Sequence, residues 1–251
     1  PGLKLTPSLT PLLLGAFLTT TALTAVPDTA VAKVTAEEAA KLTGELTPMG
    51  AIRAGNADGT IPEWTGGIAT PPAGYREGDR HPDPFAGDAP RFTIDASNVQ
   101  EHATQLTEGH KAMFARYPNS WRMPVYPTRR SAAYPQRIYD KAIENATTAE
   151  LVPGGNGVTG AAESIAFPIP QNGLEAIWNH ILRYRGSDLT RTVGQVSPTP
   201  DGAYTLVNIE ESIHWLYQKE GATLDSIDNR LAYFLQEVTA PARLAGTILL
   251  V

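Results

Sequence analysis

The most ordered hydrophobic pattern of helical period lies in FPIPQNGLEAIWNHILRYRG, residues 167–186. Leu174, Ile177, Trp178, Ile181 and Leu182 recur at i, i+3, i+4, i+7 and i+8, which places them on one broad face of a helix. Pro168 and Pro170 hold the approach extended. Asn172 stands where an N-cap belongs, with Glu175 three residues on. Gly186 supplies a C-cap, and Arg183 and Arg185 sit in the last turn, where the helix dipole favours cations. The pattern predicts a helix over 172–185 whose apolar face needs a surface to cover.

That surface follows in the sequence. From Thr205 to Tyr217 the odd positions read Thr, Val, Ile, Glu, Ile, Trp, Tyr, an alternation of period two interrupted by Glu211. Such alternation is the signature of a strand with one buried face. DLTRTVGQVS before it, and NRLAYFLQEVTA and ARLAGTILLV after it, read as three more strands, with TPDG as a turn and a hinge near Pro241. Four strands joined in order by short connections make an antiparallel meander. The fold class is therefore α+β, a curved antiparallel sheet with a helix across it.

Weaker patterns precede this region. TAEEAAKLTGELTPMG predicts a short helix, with Thr35 and Glu38 forming a capping box and Gly44 stopping it. Its thin apolar side suits the surface of something larger. NVQEHATQLTEGHKAMFARYP predicts one helix ended by Pro118, with Val99, Leu106, Met113 and Phe114 as its stripe. Another helix is expected from Tyr134, with Pro135 in its first turn. VPGGNGVTGA reads as a plain glycine loop, without the order a phosphate-binding loop requires. Asn145-Ala146-Thr147 is formally a glycosylation acceptor.

Composition narrows the function classes. The chain has 251 residues, 42% of them hydrophobic and 18% charged, enough for a sizeable core. A formal net charge of −6 argues against a nucleic-acid partner. The absence of cysteine excludes thiolate metal sites, disulfides and cysteine nucleophiles. No cofactor motif is present.

Candidate chemistry is sparse. In GNADGTIPEWTGG, Asn56, Asp58, Thr60 and Glu63 offer oxygens to a cation, but the acidic spacing of a calcium loop is missing. A packed structural loop anchored by Ile61 and Trp64 is preferred. His102 and His110 are too far apart for a convincing metal pair and read as surface residues. Glu211 and His214, and likewise Glu210 and Glu211, fall on opposite faces of a strand and cannot act as a pair. His180 lies on the polar flank of its helix. Trp178, Ile181, Ile209, Ile213 and Trp215 are candidate lining residues for an apolar ligand between helix and sheet. Arg122, Arg129 and Arg130, in a proline-rich stretch, are candidate contacts to a protein partner.

Residues 1–32 read as a signal peptide. Lys4 gives a positive n-region, Leu9 to Val26 an apolar core diluted by threonines, and Ala30 to Ala32 a small-x-small cleavage pattern. No stable transmembrane span is expected after cleavage. Residues 33–130 are then a helical and irregular extension, and 131–251 the first part of the sheet with its helix. The start at Pro1 and the end inside an apolar run suggest a piece of a longer precursor.

GNADGTIPEWTGG, YPTRRSAAYPQRIYD, NATTAEL and FPIPQNGLEAIWNHILRYRG together resemble the DUF1329 family of secreted bacterial proteins of unknown function. The resemblance runs from about Val34 to Val251. It implies a fold similar to the outer-membrane lipoprotein-sorting carriers, an incomplete antiparallel β-barrel wrapped around helices. It further implies a Gram-negative periplasmic or outer-membrane-associated protein that accompanies exporters of hydrophobic substrates. It supplies no catalytic residues. The expected function is non-enzymatic handling of a lipid or other hydrophobic ligand. The alternatives are a structural or adaptor component of an envelope complex, and a hydrolase completed by residues outside the chain.

Overall fold

The period-two region folds as a four-stranded antiparallel sheet in the order β5-β6-β7-β8. In the computed structural model, which describes residues 34–228 and 230–251, β5 is Asp188–Val196, β6 Leu206–Trp215, β7 Ala232–Ala240 and β8 Ile248–Leu250. The sheet is open, with no pairing between β8 and β5. The odd residues of β6 are the more buried set, as the alternation predicts: Glu211, Ile213 and Trp215 are buried, while Glu210 and Ser212 are exposed. A register shift lies between Asn208 and Ile209, and such a bulge bends the strand and raises its local twist.

Among the described residues, four helices and two small ladders precede the sheet. The helix α1 spans Ala36–Ala40, with the reciprocal bonds of the Thr35–Glu38 capping box, and runs into a 3₁₀ turn at Lys41–Thr43. Its inner side is Ala39 and Leu42, which pack against Ala146. The single helix expected over 98–118 is instead two pieces, a 3₁₀ turn at Val99–Gln105 and α2 at Glu108–Arg116. The break has a local cause. Leu106 is extended, and the Thr107 hydroxyl accepts from the His110 N–H at 3.2 Å, starting a new helix. The helix α3, Gln136–Thr148, starts after Pro135, which takes the N-cap position and not the first turn.

Between α3 and α4 the glycine segment is more ordered than a plain loop. The strands β3 (Glu150–Leu151) and β4 (Val158–Thr159) pair across it. The ladder of β1 (Phe92–Ile94) and β2 (Met123–Val125) is likewise antiparallel.

The helix α4 is Gly173–Leu182, shorter at its C-terminus than the expected 172–185. Asn172 caps it, accepting from the Glu175 N–H at 3.0 Å. The end comes at Arg183, whose backbone is extended, so Gly186 lies beyond the helix in the lead into β5. The arginines keep the expected task, since both Arg183 and Arg185 donate to the His180 carbonyl. The five-residue apolar face is only partly buried. Leu182 is buried and Trp178 and Ile181 are half-buried, but Leu174 is 52% and Ile177 59% exposed.

The main core joins Phe167, Leu182, Tyr217, Ala222 and Ile227, with Trp178, Ile181, Leu216 and Leu231 against it. Tyr217, Ala222 and Ile227 belong to the connection from β6 to β7. The helix therefore packs over the end of the sheet, where that connection turns, and not over the alternating residues of the strands.

Candidate functional site

Strand register assembles the inner face row by row. Leu189, Ile213 and Phe234 stand opposite one another on β5, β6 and β7. The next row is Arg191, Glu211, Gln236 and, on β8, Leu249. The row beyond is Val193, Ile209 and Val238. Paired residues project to the same face, so Glu211 sits in the middle of an apolar surface. Its two carboxylate oxygens accept from Arg191 Nε and Gln236 Nε2. A buried carboxylate is tolerated only when paired and hydrogen-bonded, and the two flanking strands supply both partners.

This polar row divides the inner face. On the side toward α4, Ile213 and Trp215 are buried. On the other side Val193, Val207, Ile209 and Val238 are partly exposed, and Leu249, at the β8 end of the polar row itself, is 52% exposed. Beyond Val207 a cavity of about 400 Å³ is lined by Gln195, Thr199, Tyr204 and Arg243.

The five expected lining residues separate into two groups. Trp178 and Ile181 pack on the core around Leu182 and Tyr217, which includes none of Ile209, Ile213 and Trp215. Trp178 is held there by its Nε1–H, which donates to the Gly155 carbonyl at 2.9 Å. Ile209, Ile213 and Trp215 share the inner face of β6. The separation follows from the early end of α4, since the chain leaves the helix at Arg183 and enters β5 beside Trp215, whose N–H donates to the Ser187 carbonyl at 2.7 Å.

The covered end carries a cation. The Arg185 guanidinium stacks on the Trp215 indole, 4.5 Å from the ring centroid, and Phe234 meets the same indole edge-on at 5.7 Å. Burial, with Arg183 and Arg191 nearby, lowers the pKa of Arg185 from its ordinary value. Trp215 Nε1 and Arg185 Nε are both buried without a hydrogen-bond partner.

The outer face of β6 has its own pair. His214 stands opposite Asp188, and its Nδ1 is 2.6 Å from the carboxylate. That hydrogen bond holds the Asp188 pKa below its ordinary value. Glu211 points to the inner face and His214 to the outer, as the strand period requires, so the two do not converge. His180 is exposed on α4.

The turn-rich loop near Trp64 is closed by its own polar groups. The Asn56 side chain donates to the Thr60 hydroxyl at 2.6 Å and accepts from the Ile61 N–H at 2.8 Å. Trp64 Nε1 donates to the Ala132 carbonyl at 3.1 Å, and the Ile68 N–H donates to the Ser131 carbonyl at 2.8 Å. Gly67 has φ +73°, and a Cβ there would lie 2.3 Å from the Ala132 oxygen. Among the described residues, no three of His, Asp and Glu cluster as metal ligands. That includes the weak cation candidates Asp58 and Glu63, while the Asn56 side chain is engaged within its own loop.

Two of the three candidate contact arginines are engaged inside the chain. Arg130 donates to the carbonyls of Ile52, Arg53, Ala54 and Pro62, and Arg129 forms a forked pair with Asp88. Arg122 lies beside Asp95 and Trp121 around a separate cavity of about 450 Å³. The two histidines of the 98–118 segment also have local partners. His102 stacks on Phe92 at 4.8 Å, and His110 Nδ1 faces the Thr107 N–H at 3.4 Å.

Sequence reading missed the polar knot beside the main core. Glu163, at φ 55°, accepts from Arg137 and from the Gly221 N–H at 2.9 Å. Arg137 also donates to the Gln218 carbonyl at 3.1 Å and stacks on Tyr184. Tyr217 donates its hydroxyl to the Ser164 carbonyl at 2.8 Å, and burial raises its pKa. Asn145 is 1% exposed. Its amide donates to the carbonyls of Ala162 and Ile165 and accepts from the Ala162 N–H. The formal glycosylation acceptor is thus a buried staple between α3 and the segment before α4.

No helix among the described residues is long and apolar enough to cross a membrane. The uncharacterised protein PA3922 of Pseudomonas aeruginosa is 48% identical over 221 residues, 88% of this chain and 49% of that protein. The chain thus spans about half the length of this curated relative. No solved structure matches the chain. The model of the family described as "Protein of unknown function (DUF1329)" matches residues 93–251, a stretch that holds α2 to α4 and the whole four-stranded sheet. The chain belongs to the DUF1329 family.

Proposed function

We propose that this protein is a non-enzymatic carrier of a lipid or other hydrophobic ligand, and that the ligand lies on the inner face of the β5–β8 sheet. The observation that carries this reading is the row Val193, Ile209, Val238, with Val207 and Leu249 beside it. These apolar residues share one face of an open sheet; Leu249 is exposed and the other four are partly exposed. A contiguous, partly exposed apolar patch of this kind fits an interaction or ligand surface. The sheet is read as the first part of an incomplete barrel similar to the lipoprotein-sorting carriers, and residues 33–130 as an extension packed onto it. Cleavage after Ala32 would deliver the protein to the periplasm, where it associates with the outer membrane and supplies or receives cargo from an exporter.

An adaptor without a ligand of its own is less well supported, because Arg129 and Arg130 hold internal partners and leave only Arg122 of the proposed contact set. A hydrolase is less well supported because Asp188 and His214 face outward on an exposed sheet surface, away from the cavities described above.

The test is fluorescence titration of the full-length protein with N-phenylnaphthylamine, an uncharged apolar probe. Saturable enhancement, lost in Ile209→Asp and in Val238→Asp, supports the carrier. Enhancement that never saturates, or that both variants retain, removes it.

A further inference from the structure

Three features of the covered end of the inner face belong together. Trp215 is more than nine-tenths buried, yet its indole N–H has no acceptor. The Arg185 guanidinium lies on the same indole, and its Nε–H also lacks an acceptor. Among the described residues Arg185 forms no ion pair. Its one side-chain hydrogen bond among those residues is a long one, 3.3 Å, from Nη2 to the His180 carbonyl. Native interiors rarely leave buried donors unmet, and two on stacked side chains point to an acceptor that the chain itself does not supply.

Arg183 and Arg191, both cationic, lie near Arg185. Glu211, on the adjacent row, is already held by Arg191 and Gln236. The backbone at Arg185 is fixed, since its N–H donates to the buried Gln218 side chain at 2.6 Å. A guanidinium presented by a fixed backbone, with unfilled donors and no acid of its own, is built for an anionic oxygen ligand.

We propose that Arg185 and the Trp215 indole N–H form an anion subsite for the carboxylate of a long-chain fatty acid, whose tail runs along the apolar inner face. The proposal rests on the carrier reading and adds the chemistry of the head group. From Trp215 to Val207 the strand offers about 27 Å, at ~3.4 Å per residue, and the open apolar residues lie toward the Val207 end. The carboxylate is therefore anchored at the covered end and the tail extends toward the open one. Arg191 stands at the boundary between the two halves, with half of its side chain exposed.

The test compares cis-parinaric acid with its methyl ester on the full-length protein. The two probes share a tail and differ in head-group charge. The acid should bind about tenfold tighter than the ester or better, in line with a charge-assisted hydrogen bond. Arg185→Met should bring the acid down to the affinity of the ester. Trp215→Phe, which keeps a ring and removes the N–H, should lower acid affinity by a smaller factor, with circular dichroism confirming the fold. Equal binding of acid and ester by the unaltered protein overturns the subsite and leaves the carrier reading standing. Binding of neither probe overturns both. A preference for the acid that survives in folded Arg185→Met also overturns the subsite.

Discussion

Glu211 and Arg191 face each other across β6 and β5, and the carboxylate, 5% exposed, is closed from the other side by Gln236 of β7. One residue therefore ties three strands at the middle of an otherwise apolar face. Arg191→Met removes the charged partner and leaves a carboxylate in place, which should cost about 2 kcal/mol. The double variant Arg191→Met with Glu211→Leu should recover most of that loss. Urea unfolding of Arg191→Met, Glu211→Leu and the double variant measures the coupling. A loss in the double variant equal to the sum of the two single losses would show that the pair contributes nothing.

Asn145 makes three hydrogen bonds from a site with almost no solvent access. Asn145→Ala takes away the amide partners of the Ile165 carbonyl and the Ala162 N–H and one of the two donors to the Ala162 carbonyl, which still accepts from the Ser164 N–H, and should destabilise by about 3 kcal/mol. Thermal unfolding checks the size, and hydrogen exchange should show the loss concentrated at 162–165.

Arg130 bridges carbonyls of Ile52, Arg53, Ala54 and Pro62 at 2.7 to 3.4 Å. Arg130→Ala should speed amide exchange through 52–64 and leave the β5–β8 sheet protected. Arg130→Lys should rescue little, because a single ammonium cannot reproduce the fork. A glutamate at this position would disturb the fold, so loss of a partner in that variant would not by itself locate an interface.

Asp188 should titrate below the ordinary aspartate value of 3.8, because His214 donates to its carboxylate. A group with a depressed folded-state pKa stabilises the fold above its unfolded pKa and loses that contribution as pH falls through the folded value. Carbon-detected NMR of the Asp188 carboxyl should show the low midpoint, and His214→Ala should return it toward 3.8. An unchanged midpoint in His214→Ala would remove the pair as the cause.

The sequence was most informative where the determinants were local. The Asn172 cap and the Thr35–Glu38 capping box span three residues each, and the alternation along β6 reports its buried face directly. It was least informative where two distant segments meet. The period of α4 groups Leu174 and Ile177 with Trp178, Ile181 and Leu182, but it cannot state that the surface beneath ends before reaching the first two. Nothing near Arg130 in sequence announces that its acceptors lie in the loop around residues 52–62. Position alone places Arg185 at a helix terminus. That agrees with its bond to the His180 carbonyl, yet the indole beneath it becomes visible only when β6 is placed beside the lead into β5.

The inner face of the sheet is proposed to hold a hydrophobic guest, and such a guest should travel with the protein. Native mass spectrometry of the full-length protein, purified from its own host without detergent, reads it out. A bound species of lipid mass is expected, absent from Ile209→Asp. A spectrum showing only the bare polypeptide, from protein that also takes up no added fatty acid, would leave the inner face without a guest.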